Sequence, residues 1–148
     1  MKSSSAVIKV FAAFLFIFST HVFAQESSFV PEVKSQDSAS YISGGITSDE
    51  RDAMKPLAKD YNLRLTFALS VGNYVADVKV KVQDSKGKKT VLDVVSDGPW
   101  LYVKLPAGKY KVTAEYKEKA VTKSVTLAAK KGASLQFIWP GVKELVDD

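Results

Sequence analysis

Cysteine is absent from all 148 residues, and histidine occurs once, as His21. The first absence excludes a disulfide framework, a thiol nucleophile and a lipid-modified cysteine. The second bears on chemistry, because His21 lies in a segment that reads as a removable leader. Long apolar runs are also scarce. The uninterrupted run Val10–Phe18 is well short of the ~20 residues that a membrane-spanning helix needs. Lys2 and Lys9 precede it as a positive region, and Val22 and Ala24 stand at the small-residue positions of a cleavage site. The pattern predicts a secretory signal peptide over residues 1–24, cut between Ala24 and Gln25. No transmembrane segment is expected after cleavage.

That reading places the protein in a bacterial periplasm, with secretion as the alternative. An exported domain without disulfides has to stabilise itself by burying a core. Removing Lys2 and Lys9 from 21 Lys and Arg leaves 19 against 16 Asp and Glu, a net charge of +3. With neither imidazole nor thiol in the trimmed chain, Ser-His and Cys-His nucleophilic pairs are excluded, as are nearly all zinc, copper and haem sites. No cofactor or metal is expected, and the chain reads as a non-enzyme. Export and modest charge argue against nucleic-acid binding. Carboxylates alone could serve a hydrolase. However, Asp49, Glu50 and Asp52 sit at a helix start, Asp93 and Asp97 flank a strand end, and Asp147 and Asp148 end the chain.

Residues 25–40 are polar, serine-rich and without sustained period, which predicts a mobile N-terminal segment. Residues 41–61 follow as a helical extension after Tyr41–Ile46. Thr47 and Glu50 form a capping box, and Ala53, Met54, Leu57, Ala58 and Tyr61 recur on one helical face. Pro56 interrupts that face, so a short or broken helix is expected. From residue 62 the period becomes two. Seven short strands separated by turn residues predict an all-β, seven-stranded antiparallel Greek-key sandwich over residues 62–140, with a C-terminal tail over 141–148.

If consecutive strands run antiparallel, alternate turns share one end. Lys86, Lys88, Lys89, Lys109, Lys130 and Lys131 then gather at one pole. Tyr74, Asp97 and Trp100 fall near the other, with Lys117 and Lys119. The bland reading of such lysines is a solvated surface that discourages aggregation. The aromatics Tyr74, Trp100, Tyr102, Tyr110, Tyr116 and Trp139 could stack on a sugar or a partner chain, though alternating positions usually belong to a core. Tyr74, on a Gly-Asn turn, is the one expected at the surface.

The run Asp97-Gly-Pro-Trp100 followed by Leu105-Pro-Ala-Gly108-Lys-Tyr110-Lys-Val112 resembles the carboxypeptidase regulatory-like domain. The resemblance spans roughly Leu63–Trp139 and implies a transthyretin-like sandwich with no active site of its own. Hydrolases and dioxygenases of related architecture depend on histidines that the trimmed chain lacks. The resemblance also implies Trp100 and Tyr102 in the core, leaving Leu101 and Val103 on an outer face. The helical segment is expected to cover that face. Should it lie elsewhere, Leu101 and Val103 become a docking patch. The leading expectation is a periplasmic binding module for a protein or an anionic envelope component. The alternative is an assembly subunit that pairs through a strand edge or the N-terminal arm. Intact-mass measurement of the exported protein is expected to give a chain that begins at Gln25. A mass that retains His21 would refute the leader.

Overall fold

Leu63, Leu65 and Phe67 alternate with Arg64, Thr66 and Ala68, so an extended chain presents one apolar and one mixed face. In the computed structural model, which describes residues 28–141, that stretch is a strand at the middle of a sheet. The predicted signal peptide and residues 142–148 of the tail lie outside the described residues. The elements are β1 (Lys34–Gln36), β2 (Ala39–Gly44), α1 (Ser48–Met54), β3 (Leu63–Leu69), β4 (Lys79–Asp84) and β5 (Thr90–Val95). They continue with β6 (Trp100–Lys104), β7 (Gly108–Tyr116), β8 (Lys119–Leu127) and β9 (Ala133–Trp139). The fold is mostly β, in two sheets with one short helix. There are nine strands among the described residues where seven were expected.

One sheet has the order β1-β2-β6-β3-β9, and the other β5-β4-β7-β8. Neighbours are antiparallel except β3 and β9, which run parallel from Leu63 beside Ala133 to Leu69 beside Trp139. Leu63, Leu65, Phe67, Leu101, Val103 and Phe137 of the first sheet share a buried cluster with Val80, Val82, Leu92, Val112 and Ala114 of the second. Phe67 and Trp139 tilt against one another, with ring centres 6.3 Å apart. The Trp139 indole donates to the Lys119 carbonyl at 2.9 Å, which satisfies its one polar atom.

Two expectations need correction. The serine-rich segment is not free over its described part. Lys34–Gln36 forms β1, and Phe29 packs beside Met54 and Ile42. The strand escapes a pattern search because it is only three residues long; it pairs with β2, and a side chain ties it further. Gln36 donates its amide to the Asp93 carbonyl at 3.3 Å, and its Oε1 accepts from the Asp93 N–H at 2.6 Å. One side chain thereby occupies the edge of β5 as a strand would.

The second correction concerns the faces of β6. Leu63 pairs with Val103 and Leu65 with Leu101, so those residues join the leucines of β3 inside. Leu101 and Val103 are fully buried between the sheets. Trp100 and Tyr102 instead face outward, where Ile42, Met54 and Tyr61 cover them in a second cluster. The helix does pack on an outer face, but over the aromatics rather than over Leu101 and Val103. Thr47 Oγ1 accepts from the Glu50 N–H at 3.2 Å, and the Glu50 carboxylate accepts from the Thr47 N–H at 2.8 Å. Pro56 then opens a 3-10 turn over Lys55–Asp60, where its missing N–H is tolerated.

Buried Asn62 ties the ends of three elements together. Its Nδ2 donates to the Leu105 carbonyl at 2.7 Å and to Ala128 at 3.5 Å, while its Oδ1 accepts from the Leu105 N–H at 2.9 Å. Asn62→Ala strands these backbone groups away from water and is expected to lower stability by roughly 2–4 kcal/mol. Urea denaturation measures this; an unchanged midpoint would show that solvent reaches them.

Candidate functional site

Strand direction decides which loops meet. The 3-10 turn ends at Asp60, beside the start of β3. At that same end β6 finishes at Lys104, and β9 begins opposite Leu63. β7 starts there too, with Gly108 opposite Leu127, and β4 finishes with Asp84 opposite Tyr110. The β4–β5 turn therefore stands beside the start of β7, and the Ser85 N–H donates to the Lys109 carbonyl at 3.0 Å. All six lysines of the expected basic pole, Lys86, Lys88, Lys89, Lys109, Lys130 and Lys131, lie at this end.

Lys59 and Lys104 join them, which the turn argument missed. Both close regular elements rather than sit in hairpin turns, so counting turns passes over them. Eight lysines thus face three carboxylates at this end, Asp37, Asp60 and Asp84. Asp84 is committed to its own turn, where it accepts from the Lys88 N–H at 2.9 Å. The ion pairs found among the described residues lie elsewhere, Lys34–Asp97 at 3.3 Å and Lys55–Asp52 at 3.0 Å. The ammonium groups of this end are left without carboxylate partners among the described residues, so their fields add.

A cleft of about 160 Å³ opens into this end. Lys59, Lys104 and Lys130 line it together with Asp60, Tyr61, Asn62, Gly132 and the Leu105-Pro-Ala turn. Tyr110 folds back over that turn and donates its hydroxyl to the Pro106 carbonyl at 2.7 Å. This is the backbone clasp of a tyrosine corner. Behind the wall, Arg64 donates to the Ala58 and Tyr61 carbonyls at 3.2 and 3.0 Å and to Ser134 Oγ at 3.0 Å. Its guanidinium fills the space that a side chain at Gly132 would need.

Tyr74, Asp97 and Trp100 are at the opposite end. Ser43 Oγ accepts from the Asp97 N–H at 2.9 Å and donates to the Trp100 carbonyl at 3.1 Å, fixing the turn between them. Gly98 packs so closely on the Gly44 backbone that any Cβ there would overlap it. Trp100 is half-buried and stacks on Tyr102, with ring centres 6.0 Å apart. Tyr74 is exposed, and the Arg51 guanidinium lies 5.7 Å from its ring centre. Lys117 and Lys119 lie at this end as well, but Asp49, Glu50, Asp77 and Glu118 offset them. Leu101 and Val103, fully buried, leave the set of interaction residues.

Among the described residues, no group of three or more carboxylates gathers as a metal site would require. No protein-family model matches this chain, and neither does any curated protein.

Burial pushes the Tyr61, Tyr102 and Tyr110 phenols above their ordinary value of 10.0, with the Asp60 charge adding to the effect at Tyr61. The folded state holds these protons more tightly than the unfolded chain does. The stabilisation is complete below pH 10.0 and is lost as pH climbs through the folded values. Urea midpoints are therefore expected to fall steeply above about pH 10, and Tyr102→Phe should soften that fall. An equally steep fall in the variant would remove Tyr102 from the account.

Proposed function

We propose that the chain is an exported, non-catalytic β-sandwich module that docks on an anionic envelope component through its basic end. The observation that carries this reading is the gathering of eight lysines, unpaired among the described residues, around the Asn62 end of both sheets. Each turn supplies only one to three of them, and only the pairing of the strands sums them into one surface. The two-sheet, mostly β fold supports this reading at the level of architecture, and the carboxypeptidase regulatory-like motif stays part of the proposal. The bond from Tyr110 to Pro106 gives that motif a physical purpose, since it closes the turn that borders the cleft.

A second reading, pairing between copies, is favoured by the edges. Gln36 occupies the edge of β5, whereas β8, nine residues long, has a strand neighbour on one side only. A long open edge is a template for strand addition.

A lysine near an anionic surface contributes about 1 kcal/mol, screened over about a Debye length. Replacing Lys86, Lys88 and Lys89 with Gln is expected to weaken binding to phosphatidylglycerol vesicles on the order of 100-fold. Raising the salt should weaken the parent protein similarly. Sedimentation with vesicles measures both effects. Binding indifferent to salt and to the substitutions would refute the basic end as the docking surface, and concentration-dependent gel filtration would then favour pairing.

A further inference from the structure

We infer that the cleft between Lys59, Lys104 and Lys130 is a binding site for a single phosphomonoester group. The inference rests on the basic end being the working surface, and it assigns the chemistry recognised there. Size comes first. About 160 Å³ gives a phosphate group room to enter with some of its water.

Charge comes second. Three lysines and one aspartate line the cleft, a surplus of two positive charges that matches a dianion. None of the three lysines is ion-paired among the described residues, although Asp60 lines the same cleft. Arg64 adds a fixed cation behind the wall. It is bonded to the Tyr61 carbonyl and abuts Gly132, and both of those residues line the cleft.

The type of cation narrows the ligand further. Lysine acts as a compact point charge with three rotatable donors, which suits a tetrahedral oxyanion approached from several sides. A planar carboxylate is better served by the fork of an arginine. The one arginine nearby has its Nε and one terminal nitrogen engaged by Ser134, Ala58 and Tyr61. The site is also held in place. The Asn62 bonds fix Leu105, and the Tyr110 bond fixes Pro106, so one wall does not have to order itself when ligand arrives. Another cleft, of about 240 Å³ between Lys79, Lys81, Asp93 and Glu115, sets two positive charges against two negative ones. It has no such preference.

The test is an amide NMR titration of the exported protein with glycerol 3-phosphate, with inorganic sulfate at matched ionic strength as the competitor anion. Shifts are expected to concentrate at residues 59–62, 104–107 and 129–132. Binding should strengthen as pH passes the second phosphate ionisation near ~6. Lys59→Gln, Lys104→Gln and Lys130→Gln should each weaken it about threefold, the scale of an exposed charge pair. Lys117→Gln, at the opposite end of the sheets, should leave it unchanged.

Vesicles containing phosphatidic acid, compared with phosphatidylglycerol, separate a lipid headgroup from a soluble phosphomonoester. Tighter binding to phosphatidic acid that is lost in Lys104→Gln assigns the lipid source. Equal vesicle binding with a retained glycerol phosphate response assigns the soluble one. Shifts spread over every lysine turn, or sulfate binding as strongly as glycerol phosphate at neutral pH, would overturn the site. In that event vesicle binding lost in the Lys86, Lys88 and Lys89 triple substitution would still support the docking surface. Phosphate binding without vesicle binding would support the cleft and remove the docking reading.

Discussion

The register of β3 against β6 decides which side chains of both strands meet the opposing sheet. Leu63 opposite Val103 and Leu65 opposite Leu101 place four apolar side chains on one face. The same pairing turns Trp100 and Tyr102 to the other. A slip of one residue would exchange the two sets, because strand side chains alternate with period two. Both faces of β6 are covered, so that exchange would bury Lys104 and crowd the aromatics between the sheets. The helix, the 3-10 turn and Phe29 take their positions from the outward aromatics, which form the surface they cover.

From that register follows the layout of charge. Strands fixed in direction bring the 3-10 turn, the β4–β5 turn, the β6–β7 turn and the β8–β9 loop to one end, where buried Asn62 ties the 3-10 turn to the β6–β7 turn and the β8–β9 loop. Lysines that are far apart in the chain become neighbours, and the nearby carboxylates do not quench them. Asp84 illustrates why. Its carboxylate accepts from the Lys88 N–H and makes no ion pair among the described residues, so it offsets one unit of charge and leaves the surplus of lysines standing. Folding and surface potential are therefore coupled through the same few side chains.

Much of this was legible in the residues alone. Period-two alternation located the strands from Leu63 to Trp139, and Thr47 with Glu50 marked the helix start. Direction counting gathered six of the eight lysines. What stayed illegible depended on partners rather than on local pattern. β1 pairs with β2 and is tied down by Gln36 reaching Asp93, 57 positions away, and no local period announces such a contact. The faces of β6 were misassigned because Trp-Leu-Tyr-Val is apolar on both sides, and only pairing with β3 breaks the tie. Lys59 and Lys104 joined the basic end through chain geometry, since neither occupies a hairpin turn. The cleft that they line is made by three separate stretches of chain.

Gln36 has one more consequence. A molecule that can grow by strand addition on both flanks propagates without limit, whereas one stoppered flank permits a single union. By seating its amide on Asp93, this side chain takes up one N–H and one carbonyl of the β5 edge and narrows what that flank offers a newcomer. An association of β8 with the β8 of a second copy would use the same edge on both and close as a pair.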